Sequence, residues 1–180
     1  MVVKIDLANA FDRASHSFLL QVMSRYGFDP SFIRWVKACI SKPWIAPLVN
    51  GRTYGFFQAS NGLRQGCFLS PLLYAIQASV FSFQLEKARR DQDLIGIRMD
   101  RETKDINHAQ FADDSILLGG ASQLIARRFK TEMDLFCQAS KSKLNIRKSK
   151  IFGWNINPRE MTGISRILEI EGVTNWDSFK

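Results

Sequence analysis

The stretch Phe111-Ala112-Asp113-Asp114-Ser115-Ile116-Leu117-Leu118 sets two adjacent carboxylates between an aromatic residue and an apolar run. Neighbouring like charges repel, and partial burial adds a desolvation cost. Two arrangements relieve this. The pair can sit in the turn of a β-hairpin, where Asp suits the backbone. Alternatively, the carboxylates can share a divalent cation that neutralises both. Alternation along a strand adds a constraint, because successive side chains point to opposite faces. Asp113 and Asp114 are therefore equal ligands only if the turn twists them together.

The 180-residue chain is long enough for one domain with a real core. Its longest apolar runs, such as Leu72-Leu73-Tyr74-Ala75-Ile76, fall far short of the ~20 residues a membrane span needs. Lys4 and Asp6 interrupt the apolar start, unlike a secretory signal. The expectation is an intracellular chain, cytoplasmic or nuclear, that is neither secreted nor membrane-bound. Three scattered cysteines and two histidines give no zinc or disulfide framework. The net charge of +8 is carried by the two ends, and residues 61–120 are the only net acidic third. A basic protein with an acidic centre suits a polyanion held around a metal site.

Val2-Val3-Lys4-Ile5-Asp6-Leu7 reads as a strand with Asp6 near its end. Phe18, Leu19, Val22, Met23 and Tyr26 recur at helical spacing from Ser15, and Gly27 ends that helix. Asp29-Pro30 caps a second helix with Phe32, Ile33, Val36 and Ile40 on its buried stripe. Asn50-Gly51 marks a hairpin. Residues 62–66 form a glycine-bearing loop, and Ser70-Pro71 caps a third helix with Leu72, Leu73, Ile76, Val80 and Phe83 inward. Strands follow at 94–99, 107–112 and 115–118. Ser122 caps a fourth helix with Leu124, Ile125, Phe129, Met133 and Phe136 inward, and a short helix spans about 158–168. The order predicts an α+β fold, an antiparallel sheet with helices on one face.

Asp6 ends an apolar strand, and Asp113 and Asp114 stand at a hairpin tip. If the first strand lies beside the hairpin, these carboxylates converge at one end of the sheet. Such a site can hold two divalent cations for phosphoryl transfer. Asp6 and Asp113 rank first and Asp114 third.

Four segments in order resemble the motifs of a known family. Ile5-Asp6-Leu7-Ala8-Asn9-Ala10-Phe11-Asp12 resembles motif A of reverse transcriptases, and Gly62 to Pro71, with Arg64, Gln65 and Gly66, resembles motif B. Phe111-Ala112-Asp113-Asp114 is similar to motif C, and Ser140 to Ser149, with Leu144, Asn145 and Lys148, to motif D. The chain thus resembles the reverse transcriptase domain of non-LTR (LINE-type) retrotransposons. That resemblance implies a polymerase palm-like fold and transfer of nucleotides from dNTPs to a primer 3′-OH on an RNA template. It implies two Mg²⁺ ions, with Mn²⁺ as a substitute, on Asp6 and Asp113 with Asp114 in support. Phe11 would exclude the ribose 2′-hydroxyl. Arg64, Gln65, Gly66 and Ala112 would contact nucleotide or template, and Lys148 would protonate leaving pyrophosphate.

The chain departs from the family pattern where Cys67-Phe68 replaces the usual Asp-Pro, where Lys141 replaces a glycine, and where His16 replaces an aromatic residue. The expected organisation is a single partial domain over 1–180, with a palm core of about 2–155 and residues 156–180 starting a connection toward the primer grip. Fingers and thumb are expected to be largely absent, as is an endonuclease domain of a longer polyprotein. The expected partners are RNA template, DNA primer and dNTP. The alternative is an inactive retrotransposon remnant that binds nucleic acid without catalysis.

Overall fold

The structure is a computed structural model that describes residues 1–98, 100, 102–111 and 113–173. Its centre is a five-stranded sheet in the order β6-β7-β1-β8-β9. These strands span Val2–Asp6 (β1), His108–Phe111 (β6), Asp114–Leu118 (β7), Lys150–Phe152 (β8) and Glu171–Val173 (β9). β1 runs antiparallel to β7 on one side, from Val2↔Leu118 to Asp6↔Asp114. On its other side β8 pairs with Val2, Val3 and Lys4 only. β6 and β7 form the predicted hairpin, closed by Phe111↔Asp114.

Alternation along the strands sorts the two faces. Val3, Ile5, Ser115, Leu117 and Ile151 are buried, whereas Asp114 and Ile116 on the other face are exposed. Helices cover the buried face: Ala10–Arg13 (α1), His16–Arg25 (α2), Pro30–Ile40 (α3), Leu69–Arg90 (α4), Gln123–Ser140 (α5) and Pro158–Leu168 (α6). α4 packs on α2 and α5, and α5 on α6. The starts predicted at Ser15, Asp29 and Ser122 are present: each side chain accepts a backbone N–H of its helix's first turn. Between α3 and α4 lie two small ribbons, Trp44–Ile45 (β2) with Phe57–Gln58 (β5), and Leu48–Val49 (β3) with Arg52–Thr53 (β4). Asn50 and Gly51 both have positive φ, the conformation a two-residue hairpin loop demands.

The sheet is mixed, which corrects the purely antiparallel expectation. β8 and β9 are parallel because α6 carries the chain back across the sheet between them. The predicted strand 94–99 is a single bridge, Ile97↔Ile106, and Met99 lies outside the described residues. α4 starts at Leu69, with Phe68 making no side-chain cap, so Ser70 lies inside the helix and is buried. Its inward face is Leu73, Tyr74, Gln77, Ala78, Phe81, Leu85 and Ala88, while Leu72 and Phe83 are exposed. Leu124 on α5 and Phe32 on α3 are likewise exposed.

Candidate active site

The ends of β1 and β7 bring Asp6 and Asp114 into direct register. Opposed residues of an antiparallel pair share a face, with Cβ atoms about 4.5–5.5 Å apart. Both carboxylates belong to the face without helices. Asp113, at the exposed hairpin tip, has the opposite parity, and its charge reaches Tyr74 on α4. Burial and that charge together push the Tyr74 phenol well above its ordinary range. The residue opposite Asp6 is therefore the one ranked third from the sequence, and Asp113 sits beside it at the tip. Ala112 lies outside the described residues.

Among the described residues, no group of three or more His, Cys, Asp and Glu side chains is gathered to hold a metal ion. The donor set nevertheless suits a hard cation of the Mg²⁺ type. Such an ion takes one or two carboxylates and fills its shell with water and phosphate oxygens. Asp6, Asp114 and Asp113 provide carboxylates, and none of the ion pairs among the described residues engages them.

After β1, Asn9 takes a left-handed conformation and the chain turns into α1. The Phe11 ring stacks on Tyr74, with centroids 4.8 Å apart and planes at 22°. Phe11 is half-buried, so its ring is partly core and partly open. The 62–66 loop is fastened to this turn by backbone hydrogen bonds from Leu63 N–H to the Phe11 carbonyl (2.8 Å) and from Gly62 N–H to the Ala14 carbonyl (2.9 Å). His16 Nε2 adds a contact to the Gly62 carbonyl at 2.7 Å. Gly62 has φ +89°, and a Cβ there would lie 2.7 Å from the Asp12 carbonyl oxygen. Gln65 Nε2 donates to Asp12 Oδ1 at 3.4 Å. Arg64, Gln65 and Gly66 are exposed, and an open cavity of about 530 Å³ is lined by Asp12, Ile45, Phe57, Arg64 and Gln65.

Lys148 is exposed in a turn on the other side of Asp6. The segment before it docks on the end of β1 through Asn145 N–H to the Asp6 carbonyl (2.9 Å) and Ala8 N–H to the Lys143 carbonyl (2.8 Å). Asp6 thus lies between the hairpin tip and the basic turn. Phe11 and the 62–66 loop are joined to the same strand through α1.

Sequence reasoning missed the contacts by which His16 on α2 and Gly62 against Asp12 of α1 fasten the loop. The helical breaks around them were visible, but a contact between residues far apart in the chain was not. It also passed over a charge signal. No Asp or Glu stands between Asp29 and Glu86, whereas Arg34, Lys37, Lys42, Arg52 and Arg64 do. Trp44, Tyr54, Phe56 and Phe57 are exposed in that region. Basic residues interleaved with exposed aromatics suit single-stranded nucleic acid. Among the described residues no helix is long and apolar enough to cross a membrane.

Residues 1–164 match the family model described as "Reverse transcriptase (RNA-dependent DNA polymerase)". The chain is 27% identical over 148 residues to the transposon TX1 uncharacterized 149 kDa protein of Xenopus laevis, covering 82% of this chain and 11% of that protein. It is 32% identical over 117 residues to a retrovirus-related Pol polyprotein from type-1 retrotransposable element R2 of Popillia japonica, covering 65% and 18%. An uncharacterized mitochondrial protein of Arabidopsis thaliana is 40% identical over 68 residues, covering 38% and 56%. The chain therefore spans only a small part of the length of the two retrotransposon proteins.

Proposed function

The chain belongs to the reverse transcriptase family, and on that premise we propose that it is the palm of an RNA-directed DNA polymerase of the non-LTR type. It would extend a DNA primer 3′-OH with dNTPs on an RNA template. The observation that carries this reading is the register of Asp6 with Asp114 on the open face, with Asp113 at the adjoining tip. Like charges opposed across two strands are unfavourable, and a bound cation turns that cost into affinity.

Reverse transcriptases as a family use divalent metal ions and bind template and primer. Here Asp6, Asp113 and Asp114 would hold two Mg²⁺ ions, or Mn²⁺ in their place. Bound metal would supply charge stabilisation to the attacking and leaving oxygens. Phe11, backed by Tyr74, would press against the sugar and exclude a 2′-hydroxyl. Gln65 and Gly66 would meet nucleotide and template on the loop that Gly62 fastens to α1, and Arg64 would lie beside them facing phosphate. Lys148, on the opposite flank of Asp6, would give a proton to pyrophosphate. Fingers, thumb and an endonuclease would be supplied by a longer polyprotein. The small share of the two retrotransposon relatives that this chain covers supports that arrangement.

Because these residues alone are expected to extend a primer weakly or not at all, primer extension by the complete polyprotein, with RNA template, DNA primer, dNTPs and Mg²⁺, tests the assignment. Asp6→Asn and Asp113→Asn should abolish extension while far-UV circular dichroism stays unchanged. Near-wild-type extension by either variant sinks it. A second reading, a remnant that binds nucleic acid without catalysis, is favoured by Cys67-Phe68, whose phenyl ring is 98% exposed. Calorimetric titration separates the two. Metal uptake that requires Asp6 supports the polymerase, and salt-sensitive binding that ignores Asp6 supports the remnant.

A further inference from the structure

β7 pairs with β1 through Asp6, but β8 stops pairing at Lys4. Beyond that point the edge is closed by the single antiparallel bridge Leu7↔Leu144 and the one-turn loop that follows it, in place of a strand. The Asp6 N–H, which a longer β8 would satisfy with a backbone carbonyl, donates to the side chain of Ser149 at 3.2 Å. The same Oγ donates its proton to the Asn145 carbonyl at 2.8 Å. Asn145 completes the ring by donating its N–H to the Asp6 carbonyl at 2.9 Å. Its carbonyl also accepts the N–H groups of Lys148 (3.2 Å) and Ser149 (3.0 Å). Ser149 is fully buried, at 0% exposure, whereas Lys148 beside it is exposed.

One hydroxyl thus does two things. It satisfies the peptide N–H of Asp6, and it pins the turn that lifts Lys148 out of the sheet. Asp6 keeps its β7 partner Asp114, but on its β8 side no strand pairs with it, and without the Ser149 hydroxyl that side of its peptide would be free to tilt. Groups that hold a ligating residue through its own hydrogen bonds commonly set its affinity for metal.

We propose that Ser149 is a positioning residue, whose Oγ locks the peptide of Asp6 to the Asn145–Lys148 turn so that the carboxylate and the basic turn keep one fixed relation. The metal arm of the test rests on the reading of Asp6 given above, and the backbone arm does not.

Amide hydrogen exchange of the 180-residue chain, resolved by residue, is compared for wild type, Ser149→Ala and Ser149→Thr, and Mg²⁺ is titrated by calorimetry. Ser149→Ala should speed exchange at Asp6 and Asn145 about ten-fold relative to Val3 and Ile5. It should also raise the half-saturating Mg²⁺ concentration by about ten-fold. Ser149→Thr keeps the hydroxyl and should hold both near wild type. Should Ser149→Ala lose protection throughout β1, Ser149→Cys, near in size but a weak hydrogen-bonding group, replaces it in the comparison. Unchanged protection at Asp6 without the hydroxyl, or Thr as loose as Ala, overturns the proposal. If Asp6 loosens in Ser149→Ala while no variant, wild type included, binds Mg²⁺, the lock stands and the metal reading of Asp6 falls.

Discussion

Asp6 and Asp114 face each other as direct register partners across two antiparallel strands, and no ion pair among the described residues relieves either. Opposed like charges cost on the order of 0.2–1 kcal/mol. Without metal, Asp114→Asn should therefore raise stability by about that amount, while the stabilisation gained on adding Mg²⁺ should shrink. Thermal melts with and without Mg²⁺ read both effects. A loss of metal-free stability would show that repulsion is not what this pair contributes.

Gly62 and Gly66 both have positive φ, at +89° and +81°, but their surroundings differ. A Cβ at Gly62 would overlap the backbone of Asp12, and one at Gly66 meets open space. Gly66→Ala should cost about 1 kcal/mol from backbone strain alone. Gly62→Ala should cost about 2–4 kcal/mol, because the overlap is added and the bonds to Phe11 and Ala14 are disturbed. Urea titration of the two variants gives the comparison, and equal losses would refute the steric account.

Two of the three thiols, Cys67 and Cys137, should separate by reactivity. The backbone N–H of Leu69 and the hydroxyl of Ser70 favour the Cys67 thiolate and hold its pKa below the ordinary thiol value. Burial pushes the Cys137 thiol up. Iodoacetamide at mildly alkaline pH should therefore label Cys67 well before Cys137, as followed by mass spectrometry of the intact chain and its peptides. Faster labelling of Cys137 would contradict the placement of Cys67 at the start of α4.

Burial also pushes the His108 imidazolium below its ordinary 6.5, despite the opposing charge of Glu86. The unfolded chain then binds the proton more readily than the folded one. Stability from this group is full above 6.5 and is lost as pH falls through the lower folded value. Urea midpoints should drop from about pH 8 to about pH 5, and His108→Asn should flatten that slope. An equally steep slope in the variant would assign the effect to other groups.

Local chemistry was legible in the sequence where a residue acts on its immediate neighbours. Ser15, Asp29-Pro30 and Ser122 start helices as expected, and Asn50-Gly51 turns a hairpin. The face of α4 was not legible, because it carries apolar residues nearly all round. Leu72 and Phe83 are exposed while Tyr74 and Gln77 are buried, so hydrophobicity pointed about one residue off the true stripe. The parallel β8–β9 pair was hidden in two three-residue strands too short to show a period. In the site, the acidic residues stood out by type. Their register, and the buried hydroxyl and histidine around them, depend on pairings between distant segments that no spacing encodes.

The position of β1 has a consequence for how the molecule is made. It precedes every other strand, yet it occupies the middle of the sheet, between β7 and β8. Its partners are residues 114–118 and 150–152. During synthesis β1 therefore waits with both edges bare until β7 has emerged, and with one edge bare until β8 follows. Pairing over such separations is slow and leaves strand edges available to other chains. A copy truncated between β7 and β8 would carry β1 with one edge permanently exposed, a template for aggregation.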